Sequence, residues 1–107
     1  MSTAPSSQVL HIAEMVNYQD GSVVSRQITK SDGGNVTLFA FDIHQGLSEH
    51  TAPFDALVHI LEGDAEVTIS GKPFQLKMGD AIIMPANEPH ALKAVQKFKM
   101  LLTMIHE

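Results

Sequence analysis

Residues 46–63 read GLSEHTAPFDALVHILEG, and residues 79–94 read GDAIIMPANEPHALKA. Each segment contains an apolar run with the length and composition of a β-strand, and each run is bounded by Gly and Pro, which interrupt strands. Each segment also carries a histidine beside its proline-containing loop, His50 in the first and His90 in the second. Together the two segments predict a small β-barrel with a pocket between its sheets, and they place both histidines at the mouth of that barrel.

The rest of the chain continues the pattern of short strands separated by Gly, Asp and Pro turns. With the two apolar runs above, the predicted strands are 23–28, 36–43, 56–61, 65–69, 74–76, 81–84, 91–95 and 98–105. Short strands at this close spacing indicate a β-sandwich or barrel, so the predicted fold class is all-β.

Two N-terminal segments precede these strands. Residues 1–8, MSTAPSSQ, are small and polar and predict a disordered tail. Residues 9–18 place their apolar side chains along one face of a short helix. A chain of 107 residues has the length of one domain with one core, so we expect a single domain over 9–107 after the tail.

The composition excludes several classes of function. The formal net charge of −5 argues against a nucleic-acid partner, which requires a basic protein face. No apolar run approaches the roughly 18 residues of a membrane helix, and the first residues lack the pattern of a signal peptide, so we expect a cytoplasmic protein without a membrane partner. The absence of cysteine excludes disulfides and thiolate metal ligands. No Ser-His-Asp, phosphate-loop or dinucleotide motif is present.

The candidate site residues are histidines surrounded by apolar side chains. His50 and His90 are the candidate metal ligands, because each lies where a strand meets the barrel mouth. Counting with a period of two from His50 puts His59 on the opposite face. The alternative for the two mouth histidines is a hydrogen bond to backbone groups of the loops. The residues predicted to line the pocket, which also suit a plain apolar core, are Phe39, Phe41, Phe54, Met84 and Met100.

The spacing of these residues resembles the two motifs of the cupin superfamily. The first family motif is G-x5-H-x-H-x3-E-x6-G, and the second is G-x5-P-x-G-x2-H-x3-N. Counting back from Gly63, the ligand positions of the first motif fall on His50, Ala52 and Ala56, and the histidine of the second falls on His90. The resemblance covers about residues 44–95 and is strongest to the small single-domain, RmlC-like conserved-barrel cupins. It implies a jelly-roll barrel, here with a short N-terminal helical turn.

The chain departs from the family motifs at two of the four ligand positions, where alanine replaces the second His and the Glu. The resemblance implies a divalent transition metal, Zn, Fe, Mn or Ni, but such sites normally take at least three protein ligands. The two alanines make a barrel without any cofactor an equal alternative. His44, Glu49, Asp55 and His59 are the candidates to complete a site, although none stands at a family ligand position.

Three functions follow from these observations. The first is metal-dependent chemistry on a small molecule, of the dioxygenase or isomerase kind, at His50 and His90. The second is a metal-free module that binds or senses a small ligand without catalysis. The third is metal-free acid–base catalysis by one of the two histidines. The apolar outer face of the last strand and the N-terminal strand further predict a homodimer.

Overall fold

The computed structural model describes residues 3–106 and confirms the all-β prediction. One 3₁₀ turn, Ile12–Glu14, precedes seven strands. The strands are β1 Val23–Ser31, β2 Gly34–Phe41, β3 Gly46–His50, β4 Asp55–Ile69, β5 Lys72–Lys77, β6 Ala81–Met84 and β7 His90–Ile105. Every pairing between them is antiparallel. Within the part of the chain that the structure describes, no helix is long and apolar enough to cross a membrane.

The two longest strands, β4 and β7, pair with each other along most of their length and belong to both sheets of the barrel. The first half of β4 and the second half of β7 lie in one sheet with β1, β2 and β6. Their other halves lie in the second sheet with β3 and β5. The two sheets are therefore joined by continuous strands rather than by loops alone.

The sequence predicted a break in each of these long strands, and the structure corrects both predictions. In β4 the ladder with β7 has register irregularities between Ile60 and Glu62 and between Gly63 and Ala65. Such irregularities bend a strand and increase its twist without ending its pairing. The sequence indicates a turn at Gly63, but in the structure Gly63 lies at a bend within the continuous strand β4.

One apolar core fills the space between the sheets. Phe41 and Phe98 are fully buried at its centre, with ring centroids 4.3 Å apart and 8° between the ring planes. Alternate residues of a strand face opposite sides, so the period of two in the sequence separates this core from the outer surface. The other buried members of the core are Ala56, Val58, Ile60, Ala65, Val67, Leu76, Met84, Leu92, Ala94 and Met100.

The N-terminal segment packs across the outer face of the first sheet instead of forming the predicted helix over 9–18. Only Ile12–Glu14 is helical, without a side-chain cap. Isolated helices of this length are marginal in water, so packing decides the conformation. Apolar side chains of the segment cover the outward-facing Ile28, Leu38 and Ala40, which are all buried. Ala4 N–H donates to Ile28 O over 2.9 Å, and the predicted tail boundary at residue 8 stays a prediction.

Two side chains fasten this segment to the sheet. The Lys99 ammonium donates to Ala13 O and lies 5.1 Å from the centroid of the Tyr18 ring. The Tyr18 hydroxyl donates to a carboxylate oxygen of Glu62 over 2.7 Å. The buried lysine is thus paired with a carbonyl and an aromatic face, which offset the cost of removing its charge from water.

The outer face predicted to form a dimer contact is covered in part by the chain itself. Leu101 of β7 packs in the outer cluster beneath the N-terminal segment. Leu57, Ile83 and Ile105 remain exposed, at 36%, 60% and 54%. The homodimer stays a prediction, and these three side chains are among the exposed apolar residues available for it.

Candidate site at the mouth of the barrel

His50 and His90 meet at one end of the barrel. His50 ends β3, His90 begins β7, and the two residues are partners in the β3–β7 ladder. Their Nε2 atoms lie 3.2 Å apart, and their ring centroids lie 4.4 Å apart. His90 is buried, with 4% of its surface exposed, whereas His50 lies exposed at the rim. Strand pairing therefore brings together the two residues that the motif spacing singled out.

Backbone carbonyls determine the tautomer of both rings. His50 Nδ1 lies 2.7 Å from Ser48 O, and His90 Nδ1 lies 3.2 Å from Glu88 O. Because a carbonyl oxygen can only accept, we assign a hydrogen to each Nδ1, which then donates. In a neutral imidazole the other nitrogen carries a lone pair, so both Nε2 atoms are acceptors that face each other. Such a pair is stabilised by a shared proton, by a metal ion or by a donor group of a ligand.

Burial is the main cause that lowers the pKa of His90 below its ordinary value. Charge on the neighbouring His50 lowers this pKa further, and the hydrogen bond to Glu88 O opposes both effects. The depressed pKa keeps His90 neutral near pH 7, so its Nε2 lone pair is available.

We expect the metal-free protein to lose stability as the pH falls below 6.5, the ordinary value for histidine. The unfolded chain takes up a proton at His90 more readily than the folded chain, so the contribution of His90 to the free energy of unfolding decreases on acidification below 6.5 and does not change above it. Urea denaturation in a pH series with a chelator present measures this slope. His90→Gln is expected to have a shallower slope, and parallel curves for the two proteins would contradict the assignment.

The histidine pair borders a cavity of about 270 Å³. Its wall includes Phe39, Met84 and Met100 from the predicted pocket, together with Leu47, Ala52, Ala56, Leu92, Leu102 and Met104. Among residues 3–106, those that line this cavity contribute no charged side chain and no polar side chain besides the two histidines. The cavity is therefore suited to a small, largely apolar molecule.

Two of the predicted pocket residues lie elsewhere. Phe41 is packed in the core against Phe98, because the centre of the barrel is filled rather than hollow. Phe54 lines another cavity, of about 620 Å³, where its ring centroid lies 4.3 Å from that of His106 with 39° between the ring planes. Three of the five residues predicted to line the pocket thus border the cavity beside the histidine pair, and these two do not.

Among residues 3–106, the four residues proposed to complete a metal site form no metal-holding group of three with the histidine pair. Glu49 is exposed on β3. Asp55 Oδ1 accepts the backbone N–H of Ala86 over 2.9 Å and thereby holds the loop that precedes His90. His59 lies between Ala81 and Leu101 in the sheet and faces outward, as its parity predicted. His44 is exposed, with a positive φ of 69°.

Met104 belongs to the apolar set that the sequence predicts first of all for the core, and in the structure it lines the cavity. The period of two in the last strand puts Met104 on the same face as Met100. In the structure Met104 lies opposite Ala56 in the β4–β7 ladder. Ala56 also lies opposite Met84 in the β4–β6 ladder. Two methionines therefore flank the alanine that stands at the family's glutamate position.

The residues at the mouth fit part of a metal site. Within residues 3–106, no group of three or more His, Asp or Glu side chains is placed to hold a metal ion. Ala52 and Ala56 line the cavity without offering a ligand atom. The two Nε2 atoms do fit one ion, since nitrogens bound tetrahedrally at about 2.0–2.1 Å stand about 3.3 Å apart. The usual four-ligand arrangement is thus absent, and a two-nitrogen site remains.

Comparison with known proteins gives a family and several close structures. Residues 37–106 match the family model of the cupin domain. The structure superposes on a conserved protein of unknown function from Streptococcus pyogenes with a TM-score of 0.91 and 34% identity, covering 100% of this chain and 96% of that one. A cupin superfamily protein from Desulfitobacterium hafniense gives a TM-score of 0.91 at 27% identity, covering 99% and 97% of the two chains. A cupin 2 conserved barrel domain protein from Leptotrichia buccalis gives 0.87 at 38% identity, covering 91% of this chain and 47% of that one. No curated protein matches the chain.

Proposed function

The chain belongs to the cupin family, and from this premise we propose that it binds one transition-metal ion between His50 and His90 and acts on a small, largely apolar molecule in the adjoining cavity. The observation that carries this proposal is the 3.2 Å distance between the two Nε2 atoms, both of which carry lone pairs in the tautomers that we assign. A cation between them removes the repulsion that two neutral imidazoles otherwise suffer. Family membership supports the metal, and the apolar wall supports the class of substrate.

Hydrogen bonds within the chain orient both imidazole rings in the absence of a ligand. Each Nδ1–H donates to a carbonyl, which sets the orientation of the ring and increases the basicity of Nε2. The apolar wall excludes water and strengthens electrostatic interactions inside the cavity. His50 and His90 would hold the ion, which would supply Lewis-acid chemistry to a neighbouring molecule at a coordination position that the chain leaves free. We propose the reaction classes of a dioxygenase or an isomerase, by analogy with other cupins.

A second function, metal-free binding of a small molecule, is supported by a different observation. Alanine stands at two ligand positions, and the described cavity residues carry no charge. A ligand with one hydrogen-bond donor and an apolar body satisfies the same facing acceptors. This function needs no metal and no reaction.

Metal content distinguishes the two functions. We expect about one metal ion per chain in wild-type protein purified without chelators or a histidine tag, and none in the double variant His50→Ala/His90→Ala. The control is His11→Ala, which removes an exposed histidine outside the site and is expected to keep the metal. Elemental analysis measures both.

The contradicting result is a wild-type protein that contains no metal after incubation with Zn²⁺, Mn²⁺, Fe²⁺, Ni²⁺ and Cu⁺. That result overturns the metal proposal and leaves binding of a small ligand. Metal retained by the double variant at the wild-type level also overturns it, because the ion then lies elsewhere.

A further inference from the structure

We infer that the ion preferred by this site is copper(I), and that methionine thioethers complete its coordination. The inference rests on the proposed metal function and names both the ion and the missing ligands. It comes from what surrounds the histidine pair, namely three methionines and no carboxylate among the described residues that line the cavity.

The methionines occupy the side of the cavity where the family ligands are missing. Met84 and Met104 are the two ladder partners of Ala56, on β6 and β7 respectively. Directly opposite residues face the same side of a sheet, with Cβ atoms about 4.5–5.5 Å apart. Met84 is 2% exposed, so its thioether lies inside the barrel. The position that carries a glutamate in the family motif is therefore an alanine with thioether side chains on both sides.

The donor atoms select the ion by their softness. Thioether sulfur is a soft ligand that favours Cu(I), and imidazole nitrogen also binds copper, whereas Mn²⁺ and Mg²⁺ prefer carboxylate and water oxygen. The described residues of the cavity wall offer only imidazole nitrogen and thioether sulfur as side-chain donors. Among transition metals, copper(I) matches this combination best.

The charge balance of the cavity leads to the same ion. Both histidines are neutral ligands in the assigned tautomers, and the described lining residues contribute no negative charge. A divalent ion would retain its full double charge in an apolar environment, where an uncompensated charge is costly. A monovalent ion halves that charge, so replacement of the family's glutamate by alanine favours Cu⁺ over Zn²⁺ or Mn²⁺.

Methionine is also a common filler of irregular cores, and a filler can be replaced by leucine. The test therefore uses the double variant Met84→Leu/Met104→Leu, which keeps the apolar volume and removes two sulfur atoms. The control is Met78→Leu, because Met78 is 70% exposed and lies outside the cavity. Circular dichroism and thermal unfolding establish that both variants are folded.

Affinity is measured anaerobically by competition of Cu⁺ against a chromophoric chelator, and Zn²⁺ is titrated in parallel. We expect the double variant to bind Cu⁺ at least about 10-fold more weakly than wild type, because loss of even an outer partner of a metal ligand typically costs about 10- to 100-fold. Zn²⁺ binding by the histidines and Cu⁺ binding by Met78→Leu are expected to be unchanged. X-ray absorption of the Cu⁺ protein is expected to show sulfur neighbours that the double variant lacks.

The outcomes separate this inference from the proposed function. If the methionine variant binds Cu⁺ as wild type does, while His50→Ala/His90→Ala loses all metals, the copper inference is wrong and the metal function stands. If Cu⁺ binds equally to the histidine variant, both are wrong. If a divalent ion binds wild type more tightly than Cu⁺, the inference is also overturned.

Discussion

Gly63→Ala is expected to prevent the protein from folding. Gly63 has φ of +84°, and a Cβ at this position would lie 1.8 Å from Lys97 O and 2.7 Å from Phe98 Cα. Both neighbours are backbone atoms, so no side-chain rotation relieves the overlap. Relief requires separating β4 from β7 at the point where they bend and cross between the sheets. We expect a loss of more than about 4 kcal/mol, a large part of the stability of a domain of this size.

Gly71→Ala is the matched control, because Gly71 has nearly the same φ of +81° but nothing within 4 Å of its Cβ position. Gly71→Ala is destabilised only because alanine is less stable than glycine in the left-handed conformation, by about 1–2 kcal/mol. This variant is therefore expected to fold. Urea denaturation followed by circular dichroism compares the two variants. Equal losses would show that positive φ, rather than the close approach of β7, determines the role of Gly63.

Ala52→His/Ala56→Glu is expected to create a divalent-metal site of the kind found elsewhere in the family. Both alanines line the same cavity as the histidine pair, and Ala56 is buried between two neighbouring strands. The new imidazole and carboxylate add two ligands and one negative charge, which compensates a doubly charged ion. We expect the affinity for Zn²⁺ or Mn²⁺ to rise by about 100-fold or more, equivalent to about 3 kcal/mol.

Isothermal titration calorimetry at neutral pH measures this gain, and the same protein is expected to lose its preference for Cu⁺. The control adds His90→Ala to the two substitutions, which removes one of the original nitrogen ligands and is expected to abolish most of the gain. An unchanged affinity in Ala52→His/Ala56→Glu would mean that side chains at these two positions do not reach an ion bound by the histidine pair.

The sequence predicted the parts of this structure that depend on local periodicity. The alternation of apolar residues identified most strands. The position of His50 and His90 beside proline-containing loops, together with the motif spacing, singled out this pair. Parity correctly placed His59 on the outer face. These predictions succeed because inward and outward faces alternate strictly along a strand.

The features that sequence reasoning missed depend on pairing between distant segments. Gly63 reads locally as a turn, but β4 continues through it because β7 pairs along both sides. β3 was not predicted, since its sequence GLSEH contains one apolar residue and only its pairing with β7 makes it a strand. The tautomers of the histidines depend on carbonyls that only the folded loops supply. Tertiary context overrides local preference in all three cases.

The two histidines lie on strands that differ in how many other strands they pair with. β7 pairs with β2, β3 and β4, whereas β3 is a five-residue edge strand that pairs with β7 alone and is largely exposed. Segments with few buried contacts open locally at a small fraction of the free energy of global unfolding. Opening of β3 moves His50 away while His90 stays in the core. We therefore expect the residence time of a ligand at the proposed site to depend on local opening of β3 more than on global unfolding of the barrel.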